Sequence, residues 1–271
     1  MVDPDSFRQF EHSGWQNIPQ QYHQAFGELT AQSIAPLLDA AAVKKGTKIL
    51  DIATGPGYVA AAAAQRGATV VGVDFSTAMV AEAQRRNPDI EFREGDAEQL
   101  PFDNDLFDAA VVNFGILHLS RPDRALTEAR RVLCPGGRFG FTVWAKPEEA
   151  VGFGIVLSAI AKYGSLSVPL PEGPPFFRFS EPDECVRSLL AAGFQSPKVV
   201  KVAQVWRLPS VHSLFEFMKD STVRTAGLLR AQKPEVLEQI RDAMRDGSKQ
   251  HQKGEAVELP MPAILASGTK P

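Results

Sequence analysis

The chain has 271 residues, 44% of them hydrophobic and 23% charged, enough to bury one substantial core and carry an elaboration beyond it. Its 29 basic and 32 acidic residues leave a net charge of −3 with no basic stripe, so DNA or RNA would gain no electrostatic steering. Cys134 and Cys185 make neither a disulfide framework nor a metal spacing, and no charged-then-apolar leader or membrane-length apolar run is visible. The expectation is a cytoplasmic protein with no metal, no nucleic-acid partner and no membrane span.

In chain order, residues 20–43 read as helical, with Leu29, Ile34, Leu37 and Leu38 on one face. An apolar strand over 47–52 then runs into Asp51-Ile-Ala53-Thr-Gly55-Pro-Gly57, followed by an Ala-rich helix over 57–66. Glycine at the end of a buried strand permits a sharp turn and the close approach of a ligand. Asp51 is costly in that apolar setting unless hydrogen-bonded. It can order the loop by accepting backbone N–H groups, or set up an ammonium site that a pyrophosphate would not tolerate. The next strand, 69–73, ends in Asp74, seventeen residues past Gly57, where a carboxylate can take both hydroxyls of a ribose.

A helix over 77–87 and a strand over 90–93 lead to Gly95-Asp96-Ala97. There Asp96 can accept from an exocyclic amine of adenine and the Ala97 N–H can donate to a ring nitrogen. A strand over 108–113 ends in Asn113, followed by Phe114 and, four residues on, His118. A helix over 122–133, the stop Pro135-Gly136-Gly137 and a strand over 137–144 complete an alternation that calls for a parallel sheet with helices on both faces. Ser180-Glu-Pro-Asp183 reads as a capped helix start, Gly193 as its end, and 197–208 and 260–267 as late strands.

Four successive strand ends therefore carry Gly55/Gly57, Asp74, Asp96 and Asn113. With Leu50-Asp-Ile-Ala-Thr-Gly-Pro-Gly57, Val73-Asp-Phe-Ser76 with Met79, Leu100-Pro-Phe102 and Arg131-Val-Leu-Cys-Pro-Gly-Gly-Arg138, residues 45–145 resemble the class I S-adenosyl-L-methionine-dependent methyltransferases, nearest to the quinone-biosynthesis and small-molecule branch. Ala53-Thr54 departs from the Gly-Cys pair more usual there. The resemblance implies an α/β, Rossmann-like fold, a seven-stranded mixed sheet in order 3-2-1-4-5-7-6 with helices on both faces and a helical cap insertion. It also implies S-adenosyl-L-methionine as cofactor. Asp51, Ala53, Gly55 and Gly57 would lie at its methionine part, Asp74 at the ribose, Phe75, Ser76 and Met79 beside ribose and adenine, and Asp96 and Ala97 at adenine. Asn113 and Phe114 would approach the methionine tail and the sulfonium.

The expected division is an N-terminal helical lid (1–44), the cofactor core (45–145), a cap insertion (146–179), a core continuation (180–208), a helical cap insertion (209–258) and a last core strand (259–271). Cap segments rich in Phe suggest an apolar or aromatic acceptor, with Phe176 and Phe179 in its wall and Arg178 pairing with a carboxylate or phenolate. His118 is the candidate base, and Tyr22 is placed by the family's lid to bond the cofactor carboxylate or face the acceptor. The expected activity is methyl transfer to a small acceptor, O- or C-methylation favoured, in a possible homodimer. No Asn-Pro-Pro-Tyr or Asp-Pro-Pro-Tyr motif follows the fourth strand, which argues against amino-group methylation of the adenine or glutamine type. The alternatives are an NAD-dependent oxidoreductase, which the glycine loop and Asp74 also fit, and a non-catalytic adenosylmethionine-binding protein.

Overall fold

Asp3 accepts a hydrogen bond from the Asp5 N–H and Pro4 supplies the first helical residue, so a helix starts almost at the chain's beginning. The computed structural model describes residues 3–271; residues 1–2 of the expected lid lie outside the described residues. Helix α1 (Pro4–Asn17) comes first, and two helices, α2 (Pro19–Ala31) and α3 (Ile34–Ala40), replace the single run expected over 20–43. Then come β1 (Lys48–Ile52), α4 (Tyr58–Gln65), β2 (Thr69–Asp74), α5 (Thr77–Arg86), β3 (Glu91–Glu94), β4 (Phe107–Asn113), α6 (Pro122–Val132) and β5 (Leu133–Trp144). The chain continues with α7 (Val151–Tyr163), α8 (Pro182–Ala191), β6 (Gln195–Val202), β7 (Val205–Leu208), α9 (Ser213–Asp220), α10 (Arg224–Arg230) and α11 (Pro234–Lys249). It closes with β8 (Gln252–Lys253), β9 (Ala256–Pro260) and β10 (Ala263–Thr269).

The main sheet runs β3-β2-β1-β4-β5-β10-β6, the expected order with β10 as its seventh strand. The first five strands are parallel, and β10 is antiparallel to both β5 and β6. Alternation along β1 shows why both faces are covered: Ile49 packs among Leu37, Val59 and Phe92 on one face, Leu50 and Ile52 among Phe26, Val112 and Trp144 on the other. All parallel strands end at one edge, where an open α/β sheet takes its ligand.

Some local expectations are corrected. Ser180 makes no capping box: its hydroxyl donates to the Trp144 carbonyl, and α8 begins without a side-chain cap. The stretch over 197–208 is two strands in different sheets. β7, β9 and β8 form a small antiparallel sheet of their own, with Trp206, Leu208, Val257 and Leu259 pointing inward. It packs against α2, α7 and α11, and Trp206 stacks on Phe217 of α9. Among the described residues no helix is long and apolar enough to cross a membrane.

Trp206 ties these layers together. It is buried, its indole N–H donates to the Ala25 carbonyl of α2 at 2.8 Å, and its ring lies 4.6 Å from that of Phe26. Trp206→Ala should cost about 3–5 kcal/mol in urea denaturation, whereas Val200→Ala, 53% exposed on β6, should stay within about 0.5 kcal/mol. Equal effects would show that the small sheet contributes nothing to holding α2.

Candidate active site

Two buried carboxylates stand at the ends of β1 and β2. Asp51 Oδ2 accepts from the Thr54 hydroxyl at 2.6 Å and the Ala60 N–H at 3.1 Å, while its Oδ1 is buried with no partner. Asp74 accepts the Gly55 N–H on Oδ2 at 2.9 Å and the Ser76 N–H on Oδ1 at 3.0 Å. Burial disfavours the charged form of each, raising Asp51 to about 7 and Asp74 to about 6, against the pull of these hydrogen bonds. The loops they hold are bent sharply. Ala53 and Phe114, each the first residue past its strand, both take the left-handed conformation (φ 53° and 57°), a strain of about 1–3 kcal/mol apiece for residues with a Cβ. The two bends meet: a Cβ on Gly115 would sit 2.5 Å from that of Ala53.

These loops floor a cavity with about 1170 Å³ of empty space, counting its mouth. Of the residues singled out from the sequence, Asp51, Ala53, Gly55, Asp74, Phe75, Met79, Asp96, Ala97, Asn113, Phe114, His118, Tyr22 and Phe176 lie in its wall. Ser76 and Gly57 stand just behind it. Ser76 caps α5, its hydroxyl accepting from the Met79 N–H and donating to Gln16 of α1. Gly57 opens α4 with φ 82°, and a Cβ there would press on Asn87 and Phe92. Asn113 is fully engaged, its amide oxygen accepting from the Ser33 and Thr142 hydroxyls and its nitrogen donating to the Thr30 carbonyl.

Arg178 and Phe179 are corrected: neither reaches the cavity. Arg178 forks between Asp123 (2.7 Å) and Glu184 (2.6 Å) on the outside of α6 and α8, so its charge is spent on structure. Phe179 is buried against Phe141 of the sheet. Nearness in sequence to Phe176 misled here, because the short 3-10 turn over 178–180 swings the later residues away from the site.

Helix α1 supplies residues that no local sequence pattern singled out. Arg8 pairs with Asp96 at 2.6 Å. Gln16 accepts from the Ser76 hydroxyl and the Ala78 N–H at the start of α5. Glu11, fully buried, accepts the Trp15 indole N–H and faces His118 Nδ1, both at 3.0 Å through Oε2, while its Oε1 has no partner. A carboxylate at Nδ1 keeps the proton there and leaves the lone pair on Nε2. The spacing Phe7, Glu11, Trp15 puts three contact residues on one helical face, a signal readable once Asp3-Pro4 is taken as a helix start. Tyr22 stacks on Phe26, and burial pushes its phenol to about 12, so near neutrality it acts as a hydrogen-bond donor, not a base. His23, its neighbour, turns away to Tyr58. Phe26, Trp144, Phe153 and Phe176 complete an aromatic wall, with Phe114 stacked 4.0 Å from Trp144. Arg224, at the first residue of α10, also reaches the cavity.

Comparison with known proteins agrees with this arrangement. Residues 50–141 match the family described as Methyltransferase domain. The chain is 44% identical over 121 residues to the demethylmenaquinone methyltransferase of Beutenbergia cavernae, covering 43% of this chain and 50% of that one. It is 40% identical over 125 residues to the Thermus thermophilus protein of the same name, covering 44% and 56%. Among solved structures, a Haemonchus contortus phosphoethanolamine N-methyltransferase shares the fold at TM-score 0.61 and 19% identity, covering 99% of this chain and 61% of that one. Residues 50–141 are thus similar to a methyltransferase domain, on a fold shared with solved methyltransferases. The chain spans about half the length of the curated relatives it matches.

The two phenylalanines separate wall from core. Phe176→Ala should raise the acceptor Michaelis constant with little loss of melting temperature, while Phe179→Ala should cost about 3–5 kcal/mol of stability and leave acceptor affinity in the surviving protein intact. The opposite pattern would return Phe179 to the site and remove Phe176 from it.

Proposed function

We propose that this protein is a methyltransferase that uses S-adenosyl-L-methionine to methylate a small, aromatic or apolar acceptor on oxygen or carbon. One observation carries the proposal: a single cavity joins the buried carboxylates of the strand ends to an aromatic wall, with an imidazole at their junction. The residues suit the cofactor. Asp51 Oδ1, buried and unpartnered, stands where an ammonium or a bound water would satisfy it. Asp74, fixed by two backbone N–H groups, is oriented to accept vicinal hydroxyls. Two carboxylates so close would repel a pyrophosphate, which weighs against NAD.

When bound, S-adenosyl-L-methionine supplies an activated methyl group that an in-line nucleophile takes. The protein's part is alignment and dehydration. Tyr22, Phe26, Trp144, Phe153 and Phe176 exclude water and present flat apolar faces, and orientation of two reactants can supply about 7–11 kcal/mol. His118 Nε2 is free to take a proton from an acceptor hydroxyl or an acidic ring position, and Glu11 at Nδ1 stabilises the imidazolium that results. The relatives named for demethylmenaquinone support testing quinone-like aromatic acceptors first.

Two substitutions test these roles. Asp74→Ala should weaken S-adenosylhomocysteine binding by about 1.5–3 kcal/mol, the loss of a charged hydrogen bond. His118→Ala should lower turnover by about 10²–10⁴-fold and leave S-adenosylhomocysteine affinity unchanged. If His118→Ala loses cofactor binding and turnover in equal measure, His118 is a structural residue and the base assignment fails.

A further inference from the structure

Arg224 is unusually placed for a cation. It opens α10 in the cap and lines the cavity. Its guanidinium carbon lies 5.1 Å from the centre of the Phe7 ring and 5.3 Å from that of Phe176. Stacking contacts of this kind leave the N–H edge of a guanidinium free. Of its five N–H donors, one makes a 3.5 Å hydrogen bond to the Leu117 carbonyl. Among the described residues no carboxylate lies within ion-pair distance of it, whereas Arg178, on the outer surface, has two partners. Burial lowers its pKa, with the Glu11 carboxylate the charge that offsets this, and Glu11 is already bound to Trp15 and His118. A half-buried guanidinium with spare donors is costly unless an anion completes it.

We propose that Arg224 recognises an anionic group on the methyl acceptor, and that this group is a carboxylate carried on the aromatic body that the Phe176 side of the cavity receives. The inference rests on the methyltransferase reading and names its substrate class. A single charge is favoured over a phosphate because the cavity already contains Asp51 and Asp74, with Glu11 behind it; one arginine neutralises a monoanion, and a dianion would leave net repulsion. Arg224 donates to the carbonyl of Leu117, the residue before His118, and both Arg224 and His118 line the cavity, so a carboxylate held by the arginine shares that cavity with the proposed base. The acceptor is thus an aromatic acid whose nucleophilic atom is near its carboxylate. Binding through this fork would orient the ring before reaction.

The test uses the full chain saturated with S-adenosylhomocysteine, and follows quenching of the wall tryptophans Trp15 and Trp144 by benzoate, 2-naphthoate, their neutral amides and phenyl phosphate. The wild type should bind 2-naphthoate about 10-fold or more tightly than 2-naphthamide, as expected for a charged hydrogen-bonded pair. Arg224→Gln should erase that ratio, Arg224→Lys should retain part of it, and both should bind S-adenosylhomocysteine as the wild type does. Equal binding of acid and amide, binding of neither, or a preference for phenyl phosphate would overturn the proposal. So would a loss of S-adenosylhomocysteine affinity in Arg224→Gln, which would assign the arginine to the cofactor's own carboxylate. A lower melting temperature with the acid-to-amide ratio intact would make Arg224 a structural counter-charge to Glu11. If Arg224→Gln does not fold, the wild-type ratio and Arg224→Lys still decide. Failure of the wild type to bind S-adenosylhomocysteine would sink the cofactor reading itself, a different result from its binding without any preference for the acid.

Discussion

The structure turns on the cost of burying two carboxylates at the same edge of one sheet. Asp51 and Asp74 are 1% and 5% exposed, and each is raised well above an ordinary carboxylate by that burial. The sign of the consequence is fixed. An acid whose pKa is higher in the folded state binds protons on folding. The ligand-free protein therefore loses stability as pH rises from about 3.8 towards 6 for Asp74 and 7 for Asp51. Natural sequences retain such groups where a ligand offsets the cost. The glycine loop, the left-handed bends at Ala53 and Phe114 and the hydrogen bonds from Gly55, Ser76 and Ala60 all hold these two side chains facing one cavity.

Around that constraint the N-terminal helices make physical sense. Helix α1 touches the site at three points: Arg8 on Asp96, Glu11 on His118, Gln16 on the start of α5. Each contact joins α1 to a different strand end, so the helix is held to the site's own loops. The segments after β5 add Phe153, Phe176 and Arg224, while Tyr22 and Phe26 come from α2 and Trp144 from the end of β5. The alignments with the two named relatives cover less than half of this chain.

The strand-end signals were legible because they are local. A strand, its turn and its terminal polar residue are contiguous, so Asp51, Asp74, Asp96 and Asn113 could each be read from a few neighbours; the alternation from 45 to 145 called for a parallel sheet, and the family resemblance implied its order. What escaped is long-range. Glu11 meets His118 across 107 positions, and Trp206 meets Ala25 across 181. Arg224 has nothing in its local sequence to distinguish it from Arg230. Arg178, set among phenylalanines, looked like a pocket charge, yet its partners Asp123 and Glu184 come from two other helices. The small sheet was missed for a similar reason: β7 follows β6 after two residues and reads as its continuation, until Trp206 and Leu208 face a different neighbour. Two prolines, Pro260 and Pro262, set the late boundary of β10 three residues beyond the expected start.

The most direct test is a calorimetric comparison of S-adenosyl-L-methionine and NAD on the intact protein, repeated at pH 7 in buffers of different ionisation enthalpy. A cationic, hydroxyl-bearing ligand stabilises the charged forms of Asp51 and Asp74 and pulls their raised pKa values down. S-adenosyl-L-methionine should therefore bind in the micromolar range, roughly −8 kcal/mol, with protons released to the buffer, and NAD should give no heat. Tight binding of NAD with none of S-adenosyl-L-methionine, or binding of S-adenosyl-L-methionine with protons taken up, would contradict the account.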